Sequence, residues 1–384
     1  VVFYIQKHTF VYKFYSLRSP KIISLLLVIS LSLLNSHFSF SQDFLGYANS
    51  NYAGVSSIDL NPAGIADSRF KFDMTLFGGS FNFANNYIGL KKEAIKSRTS
   101  LFGDYPAFSD SAFQDKYLNE RINSDRKSVF VSQQFIGPSF MVTLSPKHAF
   151  ALNVRERTFI NIDGLDQPLA HQLYESLQDS LNWHQHFTNK RVSIQAMTWM
   201  EYGLTYARVL KDDGPQFIKA GAKLKFLQGL WGAYVYIENF DYNFESDSIL
   251  TIYNTSVNYG HSNTFSLNDD MAAFVFGSKP SFGADLGVVY EWRPDYQKFF
   301  YDMDGKTGLK MKYANKYKLR AGFSILDIGA IKFEKSTVGD FTADVLNWEI
   351  DTLSMQDTTS PMGSIDSIIG TMFVQTEAIR DFKM

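Results

Sequence analysis

The sequence predicts an all-β protein, an antiparallel transmembrane β-barrel with an N-terminal plug segment. Three observations carry this reading. Several segments alternate apolar and polar residues with a period of two, as strands with one greasy and one wet face must. The chain holds 35 Phe, 21 Tyr and 5 Trp, residue types that favour strands and membrane interfaces. Nowhere after residue 41 does an uninterrupted apolar run reach 18 residues, so any bilayer crossing must be made by strands.

Composition narrows the function classes. With 384 residues, 45% hydrophobic and 20% charged, the chain is a normal folded protein. A formal net charge of −2 without a long basic run leaves no footprint for nucleic acid. The absence of cysteine excludes a disulfide framework, a thiolate metal site and a cysteine nucleophile.

At the N-terminus, Lys7, Lys13, Arg18 and Lys21 precede the apolar run Ile22 to Leu34. That run is too short to cross a hydrocarbon layer of roughly 30 Å as a helix. Ser39 and Ser41 supply small residues at the −3 and −1 positions, so residues 1–41 read as a signal peptide cut before Gln42. Export followed by strand crossing places the protein in the cell outer membrane, with outer-membrane lipid as its surroundings.

Residues 42–68 form the expected plug or hatch. They contain Asn61, Pro62, Ala63 and Gly64, in which Asn61 is placed to cap a short helix whose first position is Pro62. The barrel domain is expected over 69–384. Its first strand alternates Phe70, Phe72, Met74 and Leu76 with Lys71, Asp73 and Thr75. The phase slips at Gly78-Gly79, as a bulge would require. Further strands place Phe140, Val142 and Leu144 opposite Ser139, Met141 and Thr143, and Phe150, Leu152 and Val154 opposite Asn153 and Arg155. Ser145 to His148 turns between them. Ile194 to Leu210 follows, with Glu201 on the polar side, then the turn Lys211 to Pro215.

The next strand sets Ile218, Ala220, Ala222, Leu224 and Phe226 against Lys219, Lys223 and Lys225. Three lysines on one face need water, which a barrel supplies in its lumen. Phe282 to Trp292 carries Asp285 and Glu291 on its polar face, and the last clear strand carries Lys318 and Arg320. The expected lumen-facing charges are therefore Asp73, Arg155, Glu201, Lys219, Lys223, Lys225, Asp285, Glu291, Lys318 and Arg320. They read first as cross-strand ion pairs filling a small lumen. The alternative is a lysine row that biases the lumen toward anionic groups such as a fatty-acid carboxylate.

Short connections at 145–148 and 211–215 contrast with long ones at 163–192, 240–281 and 293–315, the asymmetry of the two rims of a barrel. The 166–181 stretch reads as helical within its loop. Eight to ten strands are legible, and residues 364–384 look helical or irregular, so closing strands are expected to be missing.

No nucleophile elbow, HExxH, Walker A or dinucleotide fingerprint occurs, and the expectation is a protein that is not an enzyme, with no cofactor and no metal. His184 and His186 lack companions for a metal site and read as a solvated loop. Asp302-Met303-Asp304-Gly305 departs from a calcium loop at Lys306 and Thr307 and reads as a turn.

Three stretches together resemble a family of uncharacterised outer-membrane barrels related to the FadL-type transporters and to PorV of type IX secretion. These are Gly46 to Asn49 with Asn61 to Phe70, Tyr290 to Pro294, and Ser324 to Gly329. The resemblance implies a 14-stranded FadL-like barrel with an N-terminal hatch, of which this chain holds the earlier strands. No FadL ligand-binding residue matches position by position. The expected function is to pass or hold a hydrophobic small molecule. The alternative is a PorV-like, non-transporting component that docks secreted or surface proteins through its long loops.

Overall fold

The computed structural model describes residues 2–7, 45–93, 111–175, 177–262, 280–349 and 375–384. The apolar run of the expected leader and its cut before Gln42 lie outside these residues. The strands in chain order are β1 (Val2–Lys7), β2 (Phe72–Thr75), β3 (Gly78–Asn85), the small pair β4 (Ile88–Leu90) and β5 (Leu118–Glu120), β6 (Lys127–Ile136) and β7 (Ser139–Ser145). The long β8 (His148–Leu165), β9 (His186–Asp213) and β10 (Gln216–Phe244) follow, then β11 (Ile249–His261) and β12 (Ser281–Trp292). The hairpin β13 (Phe300–Met303) and β14 (Lys306–Lys310), β15 (Leu319–Gly329), β16 (Lys332–Glu349) and β17 (Gln375–Lys383) complete them. Thirteen of these strands join in one sheet whose pairings are all antiparallel.

The sheet has two tiers because three strands are very long. β10 alone runs 29 residues, roughly 95 Å at about 3.3 Å per residue. Its first half pairs with β12 (Gln216↔Trp292 to Leu227↔Ser281) and its second half with β11 (Ala233↔His261 to Phe244↔Leu250). The change of partner falls beside a register shift between Gly229 and Trp231, where a bulge adds twist and lets the ladder divide. β8 divides likewise, pairing β7 through Leu152 and β6 from Arg155 onward. The lower tier is therefore β2-β7-β8-β9-β10-β12-β15-β1, and the upper tier is β3-β6-β8-β9-β10-β11-β16-β17.

Several expectations change. The phase slip at Gly78-Gly79 is not a bulge within one strand: β2 pairs with β7 in the lower tier, and β3 pairs with β6 in the upper. Residues 375–383 are a strand, not helical or irregular, and pair with β16. Their sequence has no consistently apolar face, so alternation is weak and the hydrogen-bonded ladder decides. The 240–281 stretch contains β11, and the helical content of 163–192 is one helix, Gln167–Tyr174, plus a 3-10 turn at Ser180–Asn182. β1 pairs with β15, Lys7↔Leu319 to Val2↔Ser324, so a cut before Gln42 would remove β1 and open that edge of β15.

Turns follow their chemistry. Pro146-Lys147 and Gly214-Pro215 make the two-residue connections of the lower end. Asp304 (φ 49°) and Gly305 (φ 72°) close the β13–β14 hairpin in the left-handed region that Asp-Gly favours. The 3-10 turns Gly54–Asp59 and Pro62–Ile65 lie on the sheet, where Val55, Ile58, Ile65 and Ala66 form a buried cluster with Met141, Ala149, Ala151, Ala207, Val209 and Phe217.

Candidate functional site

The polarity of the lower tier is inverted relative to a water-soluble sheet. On β10, Lys219, Lys223 and Lys225 are buried, Lys223 to 1% exposure, while Leu224 is 66% exposed and Phe226 40%. On β12, Asp285 and Glu291 are buried while Phe282, Leu286 and Trp292 are exposed. Phe72, Met74, Leu144, Leu152, Leu204 and Leu210 extend the exposed apolar face around the tier. Arg155, Glu201 and Arg320 join the buried charges.

Part of this buried charge fastens the 45–70 segment. Asn61 caps its own turn by accepting from Ala63 N at 2.9 Å, and its amide donates to the carbonyls of Val288 and Phe323 at 3.1 Å each. Pro62 occupies the first helical position, where a missing N–H costs nothing. Lys219 Nζ donates to the carbonyls of Gly64 (3.2 Å) and Ala66 (2.7 Å), and Ser324 Oγ to that of Leu60 (2.8 Å). Asp73 accepts from Val55 N at 2.7 Å, Arg155 pairs with Asp59, and Arg293 pairs with Asp67 at 3.0 Å. Arg320 donates to Asn51 Oδ1 at 3.1 Å. Glu291 is held by Arg293 at 2.5 Å and faces Arg320 at 3.6 Å.

The rest forms an ion lattice at mid-height. Lys223 contacts Glu201 at 2.5 Å, and Lys225 contacts Asp285 at 2.6 Å and Asp327 at 2.7 Å. Arg157 reaches Asp327 at 2.9 Å and Glu201 at 3.8 Å. Burying an ion costs several kcal/mol unless it is paired, and the buried Glu201, Lys223, Lys225 and Asp285 each have an opposite partner, whereas Asp327 joins them from a 53% exposed position. The lysine row is thus committed to carboxylates and to backbone carbonyls, an arrangement that favours ion pairing over the anion-attracting alternative. Lys318 departs from the expected set. It precedes β15 by one residue, is 51% exposed and pairs with Asp295 at 2.8 Å at the rim, because Leu319, not Tyr317, begins the alternation.

Above the lattice lies an apolar cavity of about 260 Å³, lined by Phe159, Met197, Trp199, Leu227, Ile328, Ile331 and Met384, with Arg157, Lys225 and Asp327 at its polar side. Phe159 and Trp199 stack at 5.5 Å, and the Arg157 guanidinium lies over both rings, 5.4 and 5.0 Å from their centroids. A second cavity of about 50 Å³ at the lower rim is polar and lined by Asp67, Lys219, Glu291, Arg293 and Arg320, groups already spent on the 45–70 segment. An apolar pocket with a few convergent polar groups is the arrangement that takes a small hydrophobic ligand.

The profile of a family described as "Family of unknown function (DUF5723)" matches residues 62–379, most of the chain. The chain belongs to that family. Searches of curated proteins and of solved structures found no match.

Two residues of this DUF5723 chain that complete the lattice are absent from the sequence expectation. Arg157 continues the inward phase of Asn153 and Arg155 and was legible had the alternation been carried two residues further. Asp327 was not. Between the pairs Leu286↔Ile325 and Ala284↔Ile328, two residues of β15 face Asp285 alone, a bulge that turns Asp327 inward at φ 58° and lets its N–H donate to Asp285 at 2.7 Å. His184 and His186 are exposed; His184 approaches Glu245 (2.8 Å), and His186 lies 3.9 Å from Asp241 and edge-on to the Tyr253 ring.

Proposed function

We propose that the protein is an outer-membrane β-barrel of FadL-like architecture that holds a hydrophobic small molecule in the cavity beside Trp199, with residues 42–68 as its plug. The observation that carries this reading is the inverted polarity of the lower tier, where Lys223 is buried beside an exposed Leu224. Such a surface is costly in water and favourable in hydrocarbon. On β10 the apolar outer face runs from Ile218 to Phe226, close to the 9 to 11 residues of a membrane-crossing strand. The seating of Asn61 and Pro62 against the inner face supports the plug, and the apolar lining of the cavity supports the ligand class.

The test uses the full chain in lipid vesicles. Flotation with vesicles, heat-modifiable migration on gels, and binding of fatty acids or aromatic hydrocarbons above the level of empty vesicles are expected. A chain that dissolves readily without detergent removes the membrane reading, and binding no better than empty vesicles removes the ligand.

One observation favours a second reading, PorV-like docking of a secreted protein. β9 and β10 extend well beyond the apolar band and are topped by the helix Gln167–Tyr174. A specific partner recovered from native membranes, and lost on deletion of 166–182, would favour it.

A further inference from the structure

At the top of the upper tier the helix Gln167–Tyr174, now α1, meets the antiparallel pair β4–β5. His171 lies in its last turn and Glu175 is its C-cap, four residues on and therefore on the same face. Glu120 closes β5 opposite them. One ligand atom from each of Glu120, His171 and Glu175 lies within 4.8 Å of the others.

We propose that Glu120, His171 and Glu175 bind a divalent transition-metal cation. Three observations support it. The first is the donor set: one imidazole and two carboxylates are borderline ligands suited to zinc or manganese. The second is the orientation of the imidazole. Nδ1 faces both oxygens of Glu120, at 2.8 and 3.0 Å, while Nε2 faces Asp179 Oδ2 at 3.1 Å. A carboxylate on the far nitrogen is the outer partner that fixes tautomer and ring plane in metal-bound histidines. Asp179 is itself fixed, since it accepts from Leu181 N (3.0 Å) and Asn182 Nδ2 (2.9 Å). Glu120 has its own outer partner in the Tyr87 hydroxyl.

The third is charge. Glu120, Glu175 and Asp179 surround one imidazole, and among the described residues none of the three carboxylates pairs with a lysine or arginine. Even a protonated His171 leaves the cluster negative, and a dication balances it. Tetrahedral donors at about 2.1 Å from zinc stand about 3.4 Å apart, so the present spread must close by little more than a side-chain rotation. Glu175, exposed at the helix end, is free to make it. Three protein donors leave a fourth position open to water.

The test is zinc titration by calorimetry on the full chain after chelator treatment, beside Glu120→Gln, His171→Gln and Asp179→Asn. One zinc per chain is expected, weakened at least 100-fold in Glu120→Gln and His171→Gln. Asp179→Asn retains the turn-capping oxygen and is expected to weaken binding 10- to 100-fold. A His184→Ala/His186→Ala double variant is expected to bind as the parent does. Circular dichroism identical to the parent separates lost ligation from lost folding. No zinc binding by the parent, or binding that survives in a folded His171→Gln protein, overturns the proposal. So does binding that follows His184 and His186.

Discussion

Gly221 of β10 and Gly287 of β12 are direct partners across the ladder, and the Asn61-Pro62 peptide lies against both. A Cβ on Gly221 would stand 2.5 Å from Pro62 C, and one on Gly287 would stand 2.1 Å from Asn61 Oδ1. The paired glycines make a dimple in an otherwise side-chain-covered face, and the N-terminal turn fits into it. Backbone cannot rotate away as a side chain does, so Gly221→Val is expected to unseat the segment. Overpacking of this kind costs about 1–3 kcal/mol. Limited proteolysis is the check: cleavage within 45–70 should speed up while the β-sheet signal in circular dichroism stays constant. Unchanged cleavage would mean that the dimple does not hold the turn.

Removing one ion from the lattice should cost more than removing a pair. Lys223→Met leaves Glu201 buried with only its longer contacts to Lys225 (3.7 Å) and Arg157 (3.8 Å). A loss of about 3–5 kcal/mol is expected. Adding Glu201→Leu should recover most of it, because the uncompensated charge is gone. Denaturant unfolding of the two single variants and the double variant gives the coupling directly. Additive losses would show that the pair does not act as a unit.

The outer face makes the opposite prediction for the neighbouring residue. Leu224→Lys puts a charge where the proposed bilayer lies and is expected to cost about 2–4 kcal/mol in vesicle-reconstituted protein. On a water-facing strand the same change would be near neutral. The comparison with Lys318→Leu, at the exposed rim, supplies the reference, since that change is expected to shift stability by no more than about 0.5 kcal/mol.

Asp166 carries a pH dependence with a definite sign. Burial raises its carboxyl above the ordinary value, against hydrogen bonds from Leu169 N and the Tyr242 hydroxyl that pull it down. A raised carboxyl holds its proton more tightly folded than unfolded. Its ionised form therefore costs stability above the folded pKa, and the cost vanishes as pH falls through that value. Asp166→Asn keeps the capping oxygen without the charge. It is expected to leave α1 as stable as the parent, or slightly more so, near neutral pH and to flatten the gain on acidification. Asp166→Ala should lose about 1 kcal/mol of helix stability at the cap. Hydrogen exchange at Leu169 and Ala170 reads all three proteins. Acidification that deprotects these amides in the parent would contradict the sign.

How far the sequence could be read depends on where regular alternation stops. From Phe282 to Trp292 the two faces are legible residue by residue, because side chains on a strand point alternately and the bulge opposite Asp285 falls on β15, leaving the alternation of β12 itself unbroken. Lys219, Lys223 and Lys225 are legible for the same reason. Asp327 is not, since a one-residue bulge reverses its direction and depends on which residues of β12 it meets. Lys318 differs in the other sense: the alternation of β15 continues in the sequence ahead of Leu319, where the strand begins. β17 is not legible in the sequence because its apolar residues do not collect on one face. The division into two tiers was invisible, because a change of partner at Gly229 leaves no mark in the sequence of β10 itself. The cluster of Glu120 with His171 and Glu175 joins residues about 50 apart, and only the i,i+4 half of it is visible along the chain.

The sequence by itself determined that this chain is built of strands, that β10 and β12 each have a charged face and an apolar face, and that Asn61-Pro62 begins a capped turn. These are local properties, set by side-chain alternation and by the missing N–H of proline. The tertiary structure alone decided which face is buried, which charge meets which, and that the turn rests on Gly221 and Gly287. Those outcomes depend on strand register, and register is chosen by the whole sheet: a slip of one residue anywhere would send every lysine of β10 to the opposite side.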